Sequence, residues 1–142
     1  MRSWIVLGTL SLLGCGGEVV TVPVEPGSPA IQDGRLAESV GLETRGGTFT
    51  PLLEAGCELP CEISGTYSTA PYKATELSLA LYRGNDRLTV QNYFLGRYLV
   101  SEIPAVERGV PQVELTLRAD TTGLHLFARD PAGGAVRLRR LY

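Results

Sequence analysis

Few side chains in this 142-residue chain could do covalent or metal chemistry, and their spacing narrows what that chemistry would be. There are three cysteines, Cys15, Cys57 and Cys61, and a single histidine, His125. In Cys57-Glu-Leu-Pro-Cys61 three residues separate the thiols, where a redox-active pair more often has two. A zinc site would need further ligands, and His125 is the one other candidate. Fully extended, the segment would hold the two Cα atoms roughly 13 Å apart, and a disulfide needs about 4.4–6.8 Å, so bridging requires a turn at Cys57 to Leu59. The spacing admits both the bridged and the reduced state. His125 lies between Leu124 and Leu126, the setting of a partly exposed strand histidine rather than of a catalyst. No Gly-x-Ser-x-Gly elbow occurs, and Glu43, Glu54, Glu58, Glu62 and Glu76 form no motif that assigns an acid and a base. The sequence therefore predicts no catalytic residue, no metal site and no cofactor, and points to binding rather than catalysis.

The elements that would position a binding site are strands. Leu77–Arg83 and Val113–Ala119 alternate apolar and polar residues with period two, and Leu124–Arg129 nearly does. Turn signals separate them at Gly46-Gly47, Gly84-Asn85-Asp86, Asp120 to Gly123 and Pro131 to Gly134. Many short strands with no convincing helix predict an all-β, antiparallel β-sandwich. At 44% hydrophobic and 20% charged residues the chain is expected to form one core. A net charge of -2 and a pI near 5.4 give no basic face for a nucleic-acid backbone. The cluster Arg137, Arg139 and Arg140 alternates with Leu138 and Leu141 as a solvated strand face would.

The N-terminus reads as an address. Arg2 precedes the apolar run Trp4–Leu13, which is too short to cross a hydrocarbon core of roughly 30 Å as a helix. Leu12-Leu-Gly-Cys15 resembles a bacterial lipobox, which implies that residues 1–14 are a lipoprotein signal peptide and that Cys15 is acylated and anchors the chain to a membrane. A buried cysteine is the alternative. Gly16 rather than Asp after the cysteine implies, by the same resemblance, an outer-membrane destination in a bacterial cell envelope. That compartment permits a Cys57–Cys61 disulfide. Residues 15–34, rich in Gly, Pro and Val, are expected to form a semi-rigid, poorly ordered spacer, with the sandwich from 35 to 142.

Within the sandwich, Gly41-Leu-Glu-Thr44 with Gly46-Gly47, Ile63 to Ala70 ending in Tyr67-Ser-Thr-Ala70, Leu95-Gly96, Arg108-Gly-Val-Pro-Gln-Val-Glu114 and Gly123-Leu-His-Leu126 occur in order and at constant spacing. Together they resemble the peptide-binding β-subdomain of the DnaK-type chaperones, the heat shock protein 70 family, from about Leu36 to Leu141. The resemblance implies that an extended peptide is gripped through its backbone while one apolar side chain enters a pocket. The pocket positions fall on Leu42, Tyr67, Leu77, Leu79 and Val113, flanked by Leu95, and Thr44, Arg45, Ser68 and Ala70 complete the peptide-binding set.

The departures bear on function. Arg45 and Ala70 stand where the family closes an arch over the peptide, and Arg45 puts a cation in a position that is usually apolar. Arg108 matches one half of the family's lid latch, but Tyr72 replaces its acidic partner. Ala30-Ile-Gln-Asp-Gly34 stands where the family's ATPase linker is a run of leucines, and no Walker-type phosphate loop occurs. The expected protein is a membrane-tethered sandwich without ATPase domain, helical lid or bound ATP, whose partners are unfolded polypeptide segments. A structural lipoprotein that docks one folded envelope partner is the alternative.

Overall fold

The computed structural model describes residues 17–22, 31–68, 75–104 and 113–142. These form β1 (Glu18–Val22), β2 (Ile31–Gln32), β3 (Arg35–Leu36), β4 (Val40–Thr44), β5 (Thr48–Leu53), β6 (Cys61–Tyr67), β7 (Leu77–Arg83), β8 (Tyr93–Ser101), β9 (Val113–Asp120), β10 (Gly123–Arg129) and β11 (Arg137–Arg140). Two antiparallel sheets, ordered β1-β10-β9-β6 and β11-β8-β7-β4-β5, pack face to face, and β2-β3 is a separate hairpin. The all-β sandwich expected from the sequence is the fold, and β7 has the bounds that the alternation of residues 77–83 marks.

Period two explains the core. Along β9, Val113, Leu115, Leu117 and Ala119 are buried, while Glu114, Thr116, Arg118 and Asp120 between them are not. Leu124, Leu126 and Ala128 do the same on β10, opposite Ala119, Leu117 and Leu115. From the other sheet come Leu42, Leu79, Leu81, Tyr98 and Val100. Tyr98 is wholly buried, its hydroxyl donates to the Leu95 carbonyl at 3.1 Å, and burial pushes its pKa up. β4 and β5 run so close at a bulge that a Cβ on Gly41 would collide with the Thr50 carbonyl oxygen and the Pro51 Cα, so glycine is required there.

The reading of 15–34 as a spacer is corrected at two places. Glu18–Val22 pairs along the edge of β10, from Glu18 opposite Ala128 to Val22 opposite Leu124. Val22 is 2% exposed and belongs to the core. The physical reason is an unpaired strand edge beside an apolar seam: Val20 and Val22 face inward, and complete burial of a valine contributes about 1.5–3 kcal/mol. Downstream, Asp33-Gly34 makes a two-residue turn with both φ angles positive, at 53° and 73°, so the boundary placed at residue 35 falls inside the β2-β3 hairpin. That hairpin is tied to the loop after β5 by Leu36 N–H to the Cys57 carbonyl and Leu59 N–H to the Gly34 carbonyl, each at 3.0 Å.

Candidate functional site

A cavity of about 60 Å³ lies between the sheets, lined by Leu42, Leu52, Ile63, Ser64, Gly65, Tyr67, Leu79, Leu115, Leu117 and Leu126. One water needs roughly 10–15 Å³, so the space matches four or more waters, or the four side-chain carbons of a leucine. The wall is apolar because both sheets turn their buried faces to it. Two strands leave it accessible: Ile63 on β6 is 41% exposed, and Leu52 on β5 is half-buried. β5 and β6 are the edge strands of their sheets on the same side of the sandwich, so among the described residues no further strand covers this seam.

Leu42, Tyr67 and Leu79 of the sequence-derived set line the cavity. Leu77, Val113 and Leu95 lie in or beside the core next to it and are not among its lining residues. Val113 and Leu95 are buried in the core at 0% and 3% exposure, and Leu77 is half-buried beside it. The register gives the reason. Tyr67 lies opposite Val113 and Leu77 opposite Val100, at the ends of their strands, whereas the cavity sits deeper, beside Leu115 and Leu117. The loop-end positions Thr44, Arg45 and Ser68 are exposed. Thr44 Oγ1 donates to the Thr48 carbonyl at 3.2 Å and lies 3.0 Å from Thr50 Oγ1, which fastens the turn Arg45–Gly47 that presents the Arg45 cation. Ala70, Tyr72, Arg108 and Cys15 lie outside the described residues.

The sequence reading missed Leu52, Ile63, Ser64, Gly65, Leu115, Leu117 and Leu126. Alternation along β9 and β10 marks three of them as inward-facing, and an isolated glycine within a strand signals close approach. At Gly65 a Cβ would point at the Tyr67 ring, 3.3 Å from its Cε1.

A connected polar network lies on the outer face of the first sheet. Arg118 bridges Glu62 and Asp120 at 3.1 Å each, and these hydrogen bonds raise its pKa. Asp120 accepts from the Thr122 hydroxyl and, at 2.8 Å, from its N–H. Those bonds, then Arg118 and His125, hold its carboxyl well below the usual range. With its proton committed to Asp120, the Thr122 hydroxyl accepts from His125 Nε2 at 2.9 Å, which leaves Nδ1 toward Thr21 Oγ1 at 3.5 Å. This network fastens the β9-β10 turn and touches β1. Among the described residues no three His, Cys, Asp or Glu side chains group as metal ligands. Cys57 and Cys61 form a disulfide with Cα atoms 6.4 Å apart, which closes the loop next to the β2-β3 hairpin.

A sequence model of the family described as Hsp70 protein matches residues 33–135. The chaperone protein DnaK of Anaplasma marginale (strain St. Maries) is 39% identical over 97 residues, covering 68% of this chain and 15% of that protein. The chain thus spans a small part of that relative's length.

Proposed function

The chain belongs to the Hsp70 protein family, and on that premise we propose that it binds extended or unfolded polypeptide segments, one apolar side chain seated in the intersheet cavity. The observation that carries this reading is the apolar cavity of leucine size, bordered by the exposed Ile63 and topped by Tyr67. Sequence-blind backbone hydrogen bonds near Thr44, Arg45 and Ser68 would hold any extended chain, and the cavity would select a Leu-like anchor. Arg45 would favour acidic residues beside that anchor, and Ala70 would complete the arch.

The binding is proposed to run without ATP, since Ala30–Gly34 lacks the leucine run of the family's linker. Magnitudes agree with a passive holder. One buried aliphatic side chain contributes about 1.5–3 kcal/mol and each net hydrogen bond roughly 0.5–1.5, against an association cost of about 4–15 kcal/mol. Affinity is then about micromolar at best, near -8 kcal/mol. Acylation of Cys15 would place the module on the envelope membrane, at the outer membrane by the residue that follows.

A second reading, docking of one folded envelope partner, is favoured by the loop between β7 and β8. There Val90 is 82% and Leu88 43% exposed on a turn held by Asp86 and Asn92. A labelled heptapeptide with a central Leu, titrated onto the Cys15→Ser chain without nucleotide, separates the readings. Saturable binding weakened at least tenfold by Ile63→Arg, at the exposed border of the cavity, supports the first. No saturable binding, or binding indifferent to the substitution, refutes it. Incorporation of labelled fatty acid that is lost in Cys15→Ser tests the anchor independently.

A further inference from the structure

The strand β1 lies outside residues 33–135, the part of the chain that resembles its family, yet it is built into the first sheet. Its direction carries a consequence for the anchor. Across that sheet, Tyr67 pairs with Val113, Glu114 with Arg129, and the neighbouring Ala128 with Glu18. The start of β1 therefore shares one end of the sandwich with Tyr67. Three interstrand spacings of roughly 4.8 Å separate Glu18 from Gly65 at its own level, and Tyr67 lies two residues further along β6, about 16 Å from Glu18 in all. The second sheet closes the same end, because Arg137, opposite Ser101, stands 3.9 Å from Glu18. β1 then runs to the far end, where Val22 lies opposite Leu124, and the β2-β3 hairpin is tied to the Cys57 loop.

Chain length decides the rest. If the first fastened element were β2, sixteen residues would link Cys15 to Ile31, a reach of roughly 53–58 Å extended, and they would leave from the far end. With β1 fastened, the link from Cys15 to Glu18 is three residues, roughly 10–11 Å at most. That is less than half the length of β10, whose seven residues span about 24 Å at strand rise. A lipid on Cys15 cannot lie in a bilayer while the Glu18 end is turned away from it.

We infer that β1 fastens the sandwich with its peptide-site end against the membrane surface, so that the segments it captures are those lying at or leaving the bilayer. The inference rests on the proposed acylation of Cys15.

The test uses the full acylated chain in phosphatidylcholine vesicles that carry a headgroup nitroxide lipid quencher. A fluorophore is placed on Thr66→Cys, beside Tyr67, or on Thr121→Cys, in the exposed turn at the far end. Quenching at 66 is expected to exceed that at 121 at least threefold. Inserting twelve Gly/Ser residues after Gly16, with a root-mean-square reach of roughly 19 Å, is expected to bring the ratio near one without touching β1. Equal quenching at the two positions, stronger quenching at 121, or a contrast that survives the insertion overturns the orientation. Failure to incorporate labelled fatty acid overturns the anchor and the orientation together, whereas fatty acid incorporated with equal quenching overturns the orientation alone.

Discussion

Gly65→Val should block the cavity while leaving the sandwich folded. Gly65 lies mid-strand in β6 opposite Leu115, lines the cavity, and has a conformation open to any residue. Valine adds three carbons to a space of about 60 Å³ that has room for about four. The nearest obstacle is the Tyr67 ring at 3.3 Å, the far end of a side chain that can tilt. A strand-interior glycine costs roughly 0.5–1 kcal/mol relative to alanine, so the substitution should offset any crowding and leave the urea midpoint level or higher. An excluded anchor forfeits about 1.5–3 kcal/mol of burial, a ten- to 150-fold weaker Kd. Fluorescence anisotropy of a labelled central-Leu heptapeptide reads this directly, with an Ala-centred peptide as reference. Wild-type and variant affinities within threefold of each other, with both proteins folded, would refute the assignment of the cavity as the anchor site.

Val22→Ala removes two buried carbons from the core and should cost about 1.5–3 kcal/mol in urea unfolding; a loss under 0.5 kcal/mol would show that β1 is not fastened. Replacing Cys57 and Cys61 together by alanine opens a five-residue loop and should cost about 2 kcal/mol, without changing peptide affinity. Asp120→Asn should destabilise at neutral pH. The folded carboxyl titrates below its ordinary 3.8, so its contribution is complete above the unfolded pKa and is lost as pH falls through the folded one. The gap between wild type and variant in urea midpoint is therefore constant above about pH 5 and narrows below pH 4. A gap that widens in acid would contradict the Thr122 and Arg118 bonds as its origin.

The all-β architecture was legible because alternation records burial: β7, β9 and β10 show it over seven or eight residues each. Leu42, Tyr67 and Leu79 could be placed beside one another because ordered motifs carry the register of the family. The depth of the cavity could not be placed that way. Leu115 and Leu117 alternate as any core strand does, and whether an inward leucine meets a neighbour or a void depends on how the two sheets pack. The hairpin at Asp33-Gly34 did carry a local signal in its dipeptide.

β1 carried none that could be trusted. Glu18-Val-Val-Thr-Val22 is a short apolar run between glycines and prolines, and its own composition does not distinguish a spacer from a strand. What fixes it as a strand is the free edge of β10 more than a hundred residues away in sequence, with Val22 filling the space beside Leu124. By itself the sequence determined the fold class and the family, because these are written in composition, period and motif spacing. Tertiary structure alone decided where the cavity lies and which end of the sandwich the N-terminus leaves from, because both are set by edges and faces that distant segments share.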